Sequence, residues 1–455
     1  MKHLLKLLSV LLAFTLVVAA CGSDDTEDSA PEDTAAASDD SDTSDADDDS
    51  ADAADDAEDA GDDSDATTED EDPDADADAD AEDASTAATG EPIYVGYIGS
   101  IVPGSNSFDT RTNGINSVLT PFNAAGGIDG RPVELLTCDD TGDPNVGAEC
   151  VDSLIGEGVV TFVGSLNQSG ASANPIIAEE GFATIGGFML TAGDNGDPLF
   201  YTSDGGNIVG GPGNFSACAA LGAERVSIAY VDIPAAAIIP GLIDSLVASA
   251  WPDTEVIGAD PMAIDLVDLA PIAAKIIGDE PDCVVSLSTE GQNVALITAL
   301  RDQGYDGRVA LNAASYTTEK ALEEFGDGAN GFILSQYYDQ ASAGWAEYEA
   351  DLAAYAPDAT PDGWGLGGWL AAKIALDVIA AAGPDPAAIT AAIPEVVVDY
   401  DTNGLTEAPL DWSVPGDNPL GVVNLRNEGW IPVEIIDGEE VADPNGYVSV
   451  FVSAG

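Results

Sequence analysis

Histidine is all but missing from this chain: the single one is His3, inside an N-terminal stretch that reads as a cleaved leader. A mature chain without imidazole loses the Ser-His-Asp and Cys-His nucleophile systems and every histidine-containing zinc site. Positive charge is nearly as scarce, with 11 Lys and Arg against 84 Asp and Glu and a net charge of −73. That balance excludes nucleic acid as a partner, because phosphate binding needs clustered cations. Lys275, Lys320 and Lys373 all lack the preceding glycine of a phosphate-binding loop, and no Gly-x-Ser-x-Gly elbow occurs. Cys-x-x-Cys pairs are absent too, so neither a metal nor another cofactor is expected. Together these absences point away from an enzyme.

What is present begins with an address. Lys2 and Lys6 precede the apolar run Leu7–Val18, which ends in Ala19-Ala20-Cys21-Gly22. A basic start, a short apolar core and small residues at the cut describe a secretory signal over 1–20, too short to span a bilayer. Val18-Ala19-Ala20-Cys21 resembles the bacterial lipobox, in which Cys21 becomes the lipidated first residue and anchors the mature chain to the cell membrane by its acyl chains. Residues 22–90 then hold 31 acidic side chains and no Lys or Arg. Such a segment cannot bury enough apolar surface to offset its ordering entropy. We read 21–90 as the lipidated cysteine followed by an extended acidic tether. From Glu91 onward, 53 acidic and nine basic residues leave −44, a charge suited to a salty medium that screens self-repulsion.

The folded part alternates in character. β-rich runs at Ile93–Ile98, Pro132–Leu136 and Val159–Val163 are separated by segments with apolar residues at helical spacing, the first carrying Pro121. The rhythm restarts after the Gly-rich stretch Gly205–Gly213, with strands at Arg225–Val231, Cys283–Leu287 and Arg308–Leu311. Two such runs imply an α/β fold of two similar lobes, each a mainly parallel sheet flanked by helices. Ligands bind beyond the carboxyl ends of such strands. The loops Gly99–Asp109, Gly164–Gly170, Gly186–Leu190, Asp232–Ala237, Ser288–Gln292 and Asn312–Tyr316 are therefore the candidates.

The run Asn123-Ala124-Ala125-Gly126-Gly127-Ile128-Asp129-Gly130-Arg131-Pro132-Val133, followed by Asp139-Asp140 and Asp143-Pro144, is similar to the leucine/isoleucine/valine-type substrate-binding proteins of ABC transporters. Gly222-Ala223-Glu224-Arg225-Val226 and Pro281-Asp282-Cys283-Val284-Val285 extend the resemblance across most of residues 92–430. It implies the two-lobed type-1 periplasmic-binding fold with a three-crossing hinge near Gly210–Gly213, Gln336–Asp339 and Ile393–Val396. Lobe 1 would comprise 91–212 and 337–395, and lobe 2 would comprise 213–336 and 396–455. It also implies an amino acid or related small polar solute in the cleft, an ABC permease as partner, and a monomer. The alternative is a sensing subunit of the same fold that reports its ligand to a membrane receptor.

In that family a first-lobe loop supplies hydroxyls and backbone N–H groups to the ligand carboxylate, which makes Gln168 and Ser169 the candidates. Ser100, Asn106, Gly187, Phe188, Thr289 and Asn312 come from the other strand-end loops, and Tyr337 from a crossing. The family's second-lobe tyrosine and acid fall near Ala236 and Ala313, so Asp232 or Glu290 would substitute. Arg111, beside the first loop, would either clamp a ligand carboxylate or pair with a surface acid, the reading we favour. Trp364 and Trp369 are read as core. Of the three connectivities open to the remaining cysteines, Cys138 at a strand end and Cys150 in the next helix favour Cys138–Cys150, leaving Cys218–Cys283.

Overall fold

The computed structural model describes residues 87–451 except 103–106, 245–249, 313–315, 417, 419–420, 426 and 445. The leader, Cys21 and nearly all of the acidic tether lie outside the described residues, as does Asn106. The first half of lobe 1 runs β1 (Ile93–Gly99), α1 (Ser107–Ala124), β2 (Val133–Asp139), α2 (Pro144–Gly156), β3 (Val159–Val163), α3 (Gly170–Glu179), β4 (Thr184–Ile185), α4 (Ala192–Gly196) and β5 (Phe200–Tyr201). The five strands form a parallel sheet of order β2-β1-β3-β4-β5. Every residue of β3 is buried, as a strand covered by helices on both faces requires. α1 continues through Pro121 to Ala124, and the quoted Gly126–Gly130 motif forms the turn into β2, with positive φ at Gly126, Gly127, Asp129 and Gly130.

Lobe 2 begins with α5 (Gly206–Ala220) and continues through β6 (Arg225–Val231), α6 (Pro234–Ala237), α7 (Ile239–Leu242), β7 (Glu255–Met262), α8 (Ala270–Gly278), β8 (Cys283–Leu287), α9 (Glu290–Asp302), β9 (Arg308–Asn312), α10 (Thr318–Phe325) and β10 (Phe332–Ser335). The chain then returns to lobe 1 with α11 (Ala343–Tyr355), α12 (Gly363–Ala382) and α13 (Pro386–Val396). It ends with β11 (Gly429–Trp430), β12 (Val433–Ile436), β13 (Glu439–Ala442) and β14 (Val448–Ser449). The second sheet has order β13-β12-β10-β9-β8-β6-β7, parallel from β10 to β7 and antiparallel at β12 and β13. Helices α10 and α13 and strand β10 are not evident from the sequence pattern.

α12 is long and apolar enough to cross a membrane, yet most of it is buried in the fold. Its glycines explain how: a Cβ at Gly368 would strike the backbone of Arg111, so the missing side chain lets α12 lie directly on α1. Both disulfides form, Cys138–Cys150 between β2 and α2 and Cys218–Cys283 between α5 and β8, with Cα atoms 5.7 and 6.1 Å apart. The second ties α5 to the lobe 2 sheet.

Two of the three expected crossings need correction. Gly210–Gly213 is the buried middle of α5, with ordinary helical backbone, and the chain changes sheets earlier, at residues 202–206. Ile393–Val396 is the last turn of α13 in lobe 1, and the third passage spans residues 397–431. Between β10 and α11 the chain runs through Gln336–Asp339. The three passages are bonded to one another. Tyr338 shares a hydrogen bond with Ser203 at 3.1 Å and donates to Asp204 at 3.3 Å. Tyr337 Oη donates to the Gly206 carbonyl at 2.9 Å, and Trp412 Nε1 to that of Thr202 at 3.2 Å. The Gln336 N–H donates to the Ile431 carbonyl at 3.0 Å.

Candidate functional site

A cavity of about 190 Å³ opens between the lobes beyond the carboxyl ends of their strands. The first lobe contributes Val102, Gln168, Phe188, Leu190 and Trp364. α5 lies along it, presenting Asn207, Gly210, Gly211 and Asn214, whose spacing of three, four and seven residues marks one helical face. The second lobe closes it with Val231 at the end of β6, Ile233 and Ala236 beyond it, and with Ser286 to Glu290 and Asn293 from the end of β8 into α9. Thr289 caps that helix by accepting from the Gln292 N–H, and Glu290 in its first turn pairs with Lys320. Ser286 and Ser288 both donate to Asn293 Oδ1, each at 2.7 Å.

Of the residues read from sequence, Gln168, Phe188, Thr289 and Glu290 meet in this cavity. Phe188 stacks edge-on against Trp364 and Tyr337, with centroids 4.9 and 5.9 Å away. Tyr337 therefore supports Phe188 from behind, itself resting edge-on against Trp430 at 4.5 Å. Trp364 lines the cavity and is not the core residue expected, whereas Trp369 is buried with Nε1 donating to Asp351 at 2.8 Å.

Other candidates are diverted. Ser100 and Ser169 are buried and both hydroxyls donate to Asp140, itself fully buried. Asp140 also accepts from the Ser169 N–H at 2.9 Å, and the Gln168 N–H donates to Ser100 Oγ at 2.8 Å. The loop that should offer hydroxyls to a ligand is thus pinned from behind. Gly187 is packed against Phe200 and Thr184. Asp232 is exposed and outside the cavity lining, with its N–H donating to Met262 at 2.7 Å. Asn312 ends β9, and its side chain lies outside the described residues.

Arg111 departs from the surface ion pair favoured for it. It is fully buried, with Nε donating to the Gly164 carbonyl at 2.8 Å and Nη2 to that of Gly186 at 2.9 Å. It is not the surface ion pair favoured from sequence and is not among the residues lining the cavity: it braces the ends of β3 and β4, with Nη1 left without a hydrogen-bond partner among the described residues. Its field also bears on two buried carboxyls. Burial raises Asp204 above the usual carboxylate range, and Arg111 opposes that rise. Burial likewise pushes Asp362 up to about 7, against hydrogen bonds headed by the Gly365 N–H and the attraction of Arg111. A second pinning carboxyl, Asp194, lies under the other first-lobe loop and accepts from the N–H groups of Leu190 and Thr191 at 2.8 and 2.5 Å. Burial raises it to about 7 despite those bonds.

Sequence reasoning missed the α5 face. Asn207 and Asn214 sit in a Gly-rich stretch that looks like a loop, and only their helical spacing, astride Gly210 and Gly211, hints at a shared surface. Among the described residues, no group of three or more His, Cys, Asp and Glu is placed to hold a metal.

A family model described as "periplasmic binding protein" matches residues 92–415. No curated protein matches the sequence. Solved structures share the fold at low identity. An extracellular ligand-binding receptor from Verminephrobacter eiseniae is 19% identical, with a TM-score of 0.63 over 77% of this chain and 99% of that one. The branched-chain amino acid transporter substrate-binding protein of Streptococcus pneumoniae, in complex with isoleucine, is 15% identical, with a TM-score of 0.64 over 79% and 99%. An ABC transporter solute-binding protein from R. palustris, in complex with benzoate, is 18% identical, with a TM-score of 0.62 over 80% and 98%.

Proposed function

The chain belongs to the periplasmic binding protein family, and on that premise we propose that it is the exported, lipid-anchored solute-binding component of an ABC transporter. It captures an amino acid or related small polar solute in the cleft and hands it to the permease. The observation that carries this reading is the cavity itself, whose walls come from both lobes and whose length follows α5 next to the crossings. A solute touching both walls favours the closed arrangement by its differential affinity, and the permease would read that arrangement. The isoleucine and benzoate named for the two structural neighbours support a small-solute role. The lipid anchor rests on Val18–Cys21 and the tether on the acidic run that follows.

The test is thermal unfolding of the mature chain, residues 21–455, in high salt against amino acids, short amides, urea and aromatic acids. A true ligand at a hundred times its dissociation constant adds about 2.7 kcal/mol. A panel in which no solute raises the melting temperature, or one in which a bound solute is chemically turned over, sinks the reading.

A further inference from the structure

We propose that the cleft selects a solute whose recognised end is an uncharged carboxamide on an apolar body, and not a carboxylate; this rests on the solute-binding reading above. Asn214 carries the argument. It lines the cavity from the middle of α5, is fully buried, and neither its Nδ2 nor its Oδ1 has a hydrogen-bond partner in the protein. A buried amide left unpaired is costly. Its complement is a group that presents one acceptor and one donor side by side, as a carboxamide does. A carboxylate presents acceptors only and would set a negative oxygen against Oδ1.

Charge argues the same way. Nine basic residues follow Glu91, and eight of them are described. Arg111, Arg131, Arg225 and Arg301 donate to backbone carbonyls; Arg111 Nη1 has no partner among the described residues, but Arg111 is fully buried and outside the cavity lining. Lys275, Arg308, Lys320 and Lys373 pair with carboxylates. The ninth, Arg426, lies outside the described residues. Lys320 is held by Glu290, a cavity-lining residue in the first turn of α9, where an anionic ligand would otherwise gain from the helix dipole. In the first lobe, the hydroxyls of Ser100 and Ser169 are held by Asp140. Phe188, Leu190, Trp364 and Ile233 offer apolar surface for the rest of the ligand.

The experiment compares matched pairs on the mature chain by calorimetry: benzamide with benzoate, and isovaleramide with isovalerate. Each amide is expected to bind about tenfold or more tighter than its acid. Asn214→Leu is expected to erase that preference by weakening the amide alone. Should Asn214→Leu not fold, Asn214→Asp keeps the size and removes the donor, and the preference should again collapse. Acids that bind as well as their amides, or an unaltered preference in either folded variant, overturn the inference and leave the solute-binding reading standing. If neither member of any pair binds while another solute does, the inference alone fails; if no solute binds at all, both fail.

Discussion

The first-lobe loops at the cleft are pinned from behind by buried carboxyls, Asp140 beneath Gln168 and Ser169 and Asp194 beneath Leu190 and Thr191. Across the cavity, α5 presents Asn214 with both polar atoms unengaged. The first arrangement uses polar groups to hold a wall rigid, and the second holds them ready for something else. A polar residue in a cleft is therefore not a ligand contact by virtue of its loop. What matters is whether the protein has already satisfied it.

The most severe way to break this contrast is Arg111→Ala. It removes the brace between Gly164 and Gly186 and leaves Asp204 and Asp362 buried without their nearby cation. Urea unfolding should register a loss of about 3–5 kcal/mol; a loss within experimental error would mean the first wall does not depend on it. Gly210→Ala attacks the other side, since a methyl there falls on the Tyr337 hydroxyl, the group that bonds the Gly206 carbonyl at a crossing. We expect about 1–3 kcal/mol of destabilisation, with solute affinity falling as well because the α5 face shifts.

Ser169→Ala sharpens the comparison at lower cost. If its hydroxyl serves only Asp140, stability drops by about 1 kcal/mol while affinity for any solute stays unchanged. A marked loss of affinity would return Ser169 to the cleft. A further effect concerns pH. Burial lifts Asp194 from 3.8 to about 7, so the folded chain holds that proton where the unfolded one has released it. This group's contribution to stability is fully present below pH 3.8 and is lost as pH rises to about 7. Asp194→Asn should flatten that part of the stability profile, visible as a smaller fall in melting temperature between those pH values.

Much of the fold was legible in the sequence. Arg225–Val231 and Cys283–Leu287 are strands over the expected spans, because continuous β-branched runs bounded by charge and glycine have few other uses in an α/β chain. Both disulfides match the pairing that the placement of the four cysteines favoured among three. The first half of α5 was not legible, because Gly206–Gly213 lacks the apolar periodicity of a helix and gains its order from Tyr337, Ile239 and Trp430, which fill the space its missing side chains leave. Trp364 and Trp369 sit five residues apart in one helix with the same composition around them, yet one lines the cavity and the other is buried.

By itself the sequence determined the alternation of strands and helices and favoured one set of cysteine pairs, since these depend on residue types and their spacing. Only the tertiary structure decided which polar groups remain available. Whether Arg111 meets a ligand or two carbonyls, and whether Ser169 or Asn214 faces the cavity without a partner, depends on groups up to 75 residues away along the chain. A hydrogen bond is settled by who stands within 3 Å, which no spacing along the chain records.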